Sequence, residues 1–194
     1  VELDPNNEQR TLFYKAAGIS RFAWNWDLAY RIHIYRTEKD NDRYTDSMKQ
    51  HKRLNALKDT EFQWMREVSK CVPQESMRDL DRAFTNFFKK THGFPQFKKK
   101  GKSRDSFRLT GSIYIHENGK PKKCKLKSRK MKKRRGKNHT CSKSCKENGT
   151  AKGIQLPRLG IIRLKEIPQL KKGSRILSAT ISRTADRWFV SLTV

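Results

Sequence analysis

Charge is spread so unevenly along this chain that its two halves cannot be built alike. Residues 1–90 carry 17 basic and 14 acidic side chains, a net of +3, whereas residues 91–194 carry 29 and 5, a net of +24. The change falls near Thr91-His92-Gly93. The densest stretch, 120–146, holds 14 Lys/Arg and no acidic residue. Self-repulsion on that scale calls for a counter-charge, and nucleic-acid phosphate is the source it points to.

At 34% hydrophobic and 10% aromatic residues, the chain is richer in core-forming side chains than disordered sequences are. Its 194 residues suffice for one or two cores. No apolar run approaches the roughly 18 residues of a membrane span. The basic block also lacks the apolar face of a membrane-surface helix, so no membrane partner is expected. No export signal is read in the opening residues, so export is not expected. The expected location is cytoplasmic, with nucleoid association if the source is prokaryotic. Four cysteines, three of them inside the lysine-rich segment, do not read as a disulfide scaffold in a chain this long.

The first half reads as helices. Asp4-Pro5-Asn6-Asn7-Glu8 resembles a cap followed by a first-turn proline. Leu12, Ala16, Ile19, Ala23, Trp26 and Tyr30 then recur at helical spacing, and Phe13, Ala17, Phe22, Ala29 and Ile32 widen that face. A shorter run passes through Met48, Leu54 and Leu57, and Phe62, Trp64, Met65 and Val68 form an apolar cluster. The clearest helix begins near Pro73: Met77, Leu80, Phe84, Phe87 and Phe88 line one side, Arg78, Arg82, Asn86 and Lys89 another, and Gly93 is read as its stop. Core packing explains the apolar stripes without a cofactor.

After Gly93 the helical period gives way to alternation. Phe107, Leu109, Ile113 and Ile115 fall in short runs. Leu177, Ala179 and Ile181, then Trp188, Val190, Leu192 and Val194, alternate with polar residues across a short link, the pattern of a β-hairpin. Several short strands with Gly/Pro turns predict a small barrel or curled sheet, hence an α+β chain. Val194 stops in mid-pattern and is read as a truncation. Between the halves lies FPQFKKKGKSRDSF (94–107). There Pro95 fixes a backbone angle, and the phenylalanines are read as anchors that hold Lys98, Lys99, Lys100, Lys102 and Arg104 over an ordered base. The bland alternative is a localisation-type basic run. Residues 120–146, almost without apolar side chains, read as a mobile insertion that orders on RNA or DNA.

Candidate chemistry is sparse. Cys124, His139, Cys141 and Cys145 could in principle ligate zinc, but C-x14-H-x-C-x3-C is not a standard spacing and the surrounding positive field repels a cation. Zinc, and any other cofactor within this stretch, is therefore not expected. Asp79 and Asp81 do not share a helix face, and the second half offers only scattered carboxylates. No active site is read here; binding is what the chain offers.

RFAWNWDLA (21–29), FQWMREVSKCVPQESMRDLDRAFTNFF (62–88), FPQFKKK (94–100), LPRLG (156–160) and SATISRTADRWFVSLTV (178–194) together resemble the TnpB proteins, transposon-encoded RNA-guided DNA nucleases related to compact type V CRISPR effectors. The resemblance implies a β-barrel-like wedge domain with an inserted recognition bundle of about four helices. Residues 1–4 would be the tail of the first wedge strand, 5–91 the recognition domain and 92–194 the remaining wedge, with an insertion at about 116–150. It further implies guide RNA and double-stranded target DNA as partners, the DNA carrying a short adjacent motif. A RuvC-like, Mg-dependent nuclease domain would follow residue 194. Residue by residue, Lys70, Gln74 and Thr110 would approach the motif-bearing duplex. Arg78, Arg82, Lys98, Lys99 and Lys102 are candidate backbone contacts. The rival reading is a stand-alone nucleic-acid-binding or regulatory protein that does not cut.

Overall fold

Asn6, not Asp4, starts the longest element. Its side-chain oxygen accepts the Gln9 N–H at 2.8 Å while Gln9 Oε1 accepts the Asn6 N–H at 3.1 Å, a reciprocal capping box. In this computed structural model, which describes residues 1–38, 45–116, 152–170 and 174–194, helix α1 then runs unbroken over Asn7–Thr37. Strand β1 (Glu2–Asp4) precedes it. Helix α2 (Ser47–Leu57), a 3₁₀ turn (Gln63–Glu67) and helix α3 (Cys71–Phe88) follow. Six more strands complete the order: β2 (Ser106–Thr110), β3 (Tyr114–His116), β4 (Gly153–Leu156), β5 (Gly160–Leu164), β6 (Ser178–Thr184) and β7 (Arg187–Thr193).

The strands form one antiparallel sheet in the order β2-β6-β7-β1-β5-β4-β3. Short β1 lies in its middle, with Leu3 opposite Trp188 on one side and Leu164 on the other. The β6–β7 hairpin turns through Ala185, whose φ of 52° lies in the left-handed region that tight hairpin turns require.

Two expectations are corrected here. The sheet is open rather than barrel-like, since β2 pairs with β6 and β3 with β4, leaving the two end strands unjoined. A barrel fills its interior with its own side chains; here α1 takes that place. Phe13 is fully buried, its ring edge-on to Trp188 at 5.0 Å and to Phe107 at 5.8 Å. Ala16, Ala17, Ile19 and Ala23 continue the same core. Among the described residues there are also three α-helices, not about four. The Phe62–Val68 cluster makes only a five-residue 3₁₀ turn with no side-chain cap. Phe62 and Trp64 instead gather edge-on around Phe22, at 5.0 and 5.1 Å.

A second cluster, Trp24, Leu28 and Leu80, joins α1 to α3. Beside it Arg31 bridges two acids: it donates to Asp27 at 2.8 and 3.0 Å and to Asp81 at 2.5 Å. Asp81 also accepts the Ser47 N–H at 3.0 Å, which brings the start of α2 into the same network. Helix α3 ends in a Schellman turn, with Lys90 N–H on Phe87 O at 2.8 Å and Thr91 N–H on Asn86 O at 3.0 Å. The left-handed residue is Lys90 (φ 58°), so the helix stops there rather than at Gly93.

Candidate nucleic-acid interface

The 94–104 segment is held from beneath by two adjacent residues of α1. Trp24 donates its indole N–H to Gln96 O at 2.9 Å. Asn25 accepts the Lys98 N–H at 2.8 Å and donates to Lys98 O at 2.9 Å, the pairing of a short β-ladder made by one side chain. Pro95 is buried and Phe94 packs edge-on against Phe84 and Phe87 of α3, whereas Phe97 is 48% exposed, so the anchors are Trp24-Asn25, Pro95 and Phe94, and not Phe97. The segment then turns back on itself. Ser103 N–H reaches Lys99 O at 2.8 Å, and Gly101 supplies a φ of 81° that a side chain would strain. Arg21 pairs with Asp105 at 2.8 Å and Arg104 donates to Ser182 at 2.9 Å, fastening the segment's end to α1 and β6.

Asn25→Ala removes both hydrogen bonds and leaves the Lys98 amide with no protein partner. We expect a loss of about 1–3 kcal/mol. Amide hydrogen exchange should quicken at 96–103 before it changes in the sheet.

Among the proposed backbone contacts, the structure separates committed cations from free ones. Arg78 is paired with Glu75 at 2.7 Å, and Arg82 with Asp79. Lys98 lies half-buried with its ammonium 3.8 Å from the centre of the Trp24 ring, and burial lowers its pKa, partly opposed by Asp79. Lys99 and Lys102 are exposed and, like Lys100, form no ion pair among the described residues. The contrast with the middle of the sheet is sharp. There Lys165 and Arg187 both pair with Glu2, and Arg163 with Asp4.

Lys70, Gln74 and Thr110 are brought to one neighbourhood. Lys70 caps α3 with an exposed side chain, and half-buried Gln74 follows one turn later on the same face. Between them, Cys71 donates its thiol to the carbonyl of Thr110, at the end of β2, across 3.6 Å. His51 of α2 belongs to the same surroundings, although the sequence reading passed it over. Burial lowers its pKa, and the charges of Lys58, Arg78 and Lys70 add to the effect. Its buried Nε2 has no hydrogen-bond partner. An apolar hollow of about 290 Å³ lies elsewhere on α1, lined by Lys15, Gly18, Ile19, Trp64 and Glu67. The charges at its rim cancel in a Lys15–Glu67 pair.

The described residues contain no group of three or more His, Cys, Asp or Glu that could hold a metal. Cys124, His139, Cys141 and Cys145 lie outside them, as does the expected mobile insertion at 120–146. No described helix is long and apolar enough to cross a membrane.

Comparison with known proteins places the chain among relatives. Residues 1–40 match the family described as a helix-turn-helix domain of the IS605 OrfB type. Over 192 residues, 98% of the chain, it is 32% identical to the "Putative RNA-guided DNA endonuclease InsQ" of Escherichia coli (strain K12). The chain carries a domain of the TnpB/IS605-related, transposase-associated family. A second relative, the "Putative RNA-guided DNA endonuclease" of Streptomyces pristinaespiralis, is 32% identical over 116 residues, 59% of the chain. The TnpB-related chain spans 38% and 28% of the lengths of these two relatives. Of the matched residues 1–40, those described form one strand and a single continuous helix, with no turn between two helices.

Proposed function

We propose that this chain is the nucleic-acid-binding lobe of an RNA-guided DNA endonuclease, seating a guide RNA and the DNA it pairs with. The observation that carries the reading is the 94–104 segment, fixed through Trp24 and Asn25, which presents Lys99, Lys100 and Lys102 without acidic partners. Cations held in one geometry meet a phosphate backbone of defined shape, and base pairing by a guide supplies the sequence. Lys70, Gln74 and Thr110 form the contact to a short motif in the adjacent duplex. A glutamine amide suits an adenine edge, and a lysine suits guanine or phosphate. The relatives named as endonucleases extend well beyond the matched region. The described residues do not fit a catalytic metal, so no cleavage step is assigned to them.

Two measurements test the reading. RNA recovered with the protein and sequenced should be one defined non-coding species, not a sample of cellular RNA that moderate salt releases. With that RNA bound, Gln74→Ala should weaken binding to motif-bearing DNA by about 1–3 kcal/mol and relax the motif at one position. Equal weakening on every DNA sequence would remove Gln74 from the motif contact.

A further inference from the structure

Helix α3 ends in an unusual surface. Phe88, in its last turn, is 74% exposed, and Phe97 and Phe94 are 48% and 41% exposed. Phe88 and Phe94 belong to one cluster of rings, apart from Phe97. Phe88 stacks on Phe84 (6.3 Å between centroids, 26° between planes) and lies 5.4 Å from Phe87. Phe94 returns from the loop to meet Phe84 and Phe87 edge-on, at 5.7 and 5.3 Å. The Arg31 guanidinium, 5.2 Å over Phe84, backs the group. Single exposed apolar residues are common on protein surfaces, but a contiguous raft of aromatic rings marks a contact site.

Its surroundings say what kind of contact. From Arg82 to Arg104 the sequence contains no acidic residue, while Lys89, Lys90, Lys99 and Lys100 flank the exposed rings along the chain. All four are exposed, with no ion-pair partner among the described residues. Lys90 also occupies a left-handed conformation that costs a side chain about 1–2 kcal/mol and glycine almost nothing. A cation thus stands where glycine would be less strained. An apolar protein partner would have to bury these uncompensated charges. A nucleic-acid strand would neutralise them with phosphate and use the rings through its bases.

We propose that Phe88, with Phe87 and Phe94 supporting it, is a stacking platform for unpaired nucleotides, and that the flanking lysines take the adjoining phosphates. In a duplex the base faces are already stacked on one another, so an exposed ring selects single-stranded nucleic acid over paired. This rests on the nucleic-acid-binding reading above and adds to it the strand state of the ligand at this face.

The test compares the chain with Phe88→Leu and with Lys99→Gln/Lys100→Gln, using oligothymidylate, oligouridylate and a DNA hairpin duplex as probes. Leucine keeps the apolar bulk and removes the π-face. Phe88→Leu should weaken single-strand binding about 5- to 30-fold. It should leave duplex affinity and the salt dependence of binding unchanged. The lysine pair should weaken both kinds of ligand and flatten the salt dependence. The proposal is overturned if Phe88→Leu leaves single-strand binding unchanged or lowers single-strand and duplex binding equally. It is also overturned if that substitution abolishes a concentration-dependent dimer in sedimentation, which would place a second copy on the rings. Failure of the unsubstituted chain to bind any of the probes would instead sink the nucleic-acid reading itself.

Discussion

Arg31→Ala is expected to cost about 3–5 kcal/mol, the penalty for leaving one member of a buried charge network without its partner. Asp27 is fully buried and Arg31 nearly so, and Arg31 holds both Asp27 and Asp81. The network unites α1, α3 and the start of α2, so its loss should loosen all three helices together. The effect is pH-dependent with a definite sign. Burial already raises the pKa of Asp27 above its ordinary 3.8, against the opposing pull of Arg31. With Arg31 gone, the folded carboxyl holds its proton to still higher pH than the unfolded one. The extra stability of the protonated form is fully present below the unfolded pKa and is lost as pH rises through the folded one. The deficit of Arg31→Ala relative to the unsubstituted chain should therefore be smallest in acid and grow towards neutrality. Chemical denaturation across that range measures it; a pH-independent deficit would show that Asp27 does not carry the cost.

Trp24 supports the second large effect. It is mostly buried against Leu28 and Leu80, and its N–H is the hydrogen bond to Gln96 O. Trp24→Ala should cost about 3–5 kcal/mol through the cavity alone. Trp24→Phe is more informative. It keeps an aromatic ring near Lys98 and gives up the N–H, for a loss of about 1 kcal/mol beyond the cost of the smaller cavity it leaves. If the 94–104 segment is a seat held in shape from below, nucleic-acid affinity should fall by more than this stability change accounts for, because the lysines lose their common geometry. Affinity that follows net charge alone, unchanged in Trp24→Phe, would show that the segment acts as a loose polycation.

How much of this was legible follows from what each signal encodes. Period-two alternation at 177–194 fixes which residues share a face, and the β6–β7 hairpin has that register, with Ile181 opposite Val190 and Ala179 opposite Leu192. It does not encode which strands close an edge, and so the barrel expectation failed. Leu12 to Tyr30 at helical spacing marked α1, but a cluster as short as Phe62–Val68 cannot distinguish a helix from a single turn. The pairing of Arg78 with Glu75 and of Arg82 with Asp79 was readable as acid and base three residues apart on a helix. The anchoring of 94–104 was not. Trp24 and Asn25 grip backbone atoms, and a backbone acceptor leaves no mark in the side chains of its own segment. The same blindness made Phe97 look like an anchor, although it is 48% exposed.

Photo-crosslinking of bound RNA or DNA, followed by mapping of the modified peptides, tests the interface most directly. A shaped seat predicts adducts in peptides containing Lys70–Gln74 and Phe88–Lys102, sharply reduced in Trp24→Phe. Adducts confined to residues 117–151, with none on the segment that Trp24 and Asn25 hold, would contradict it.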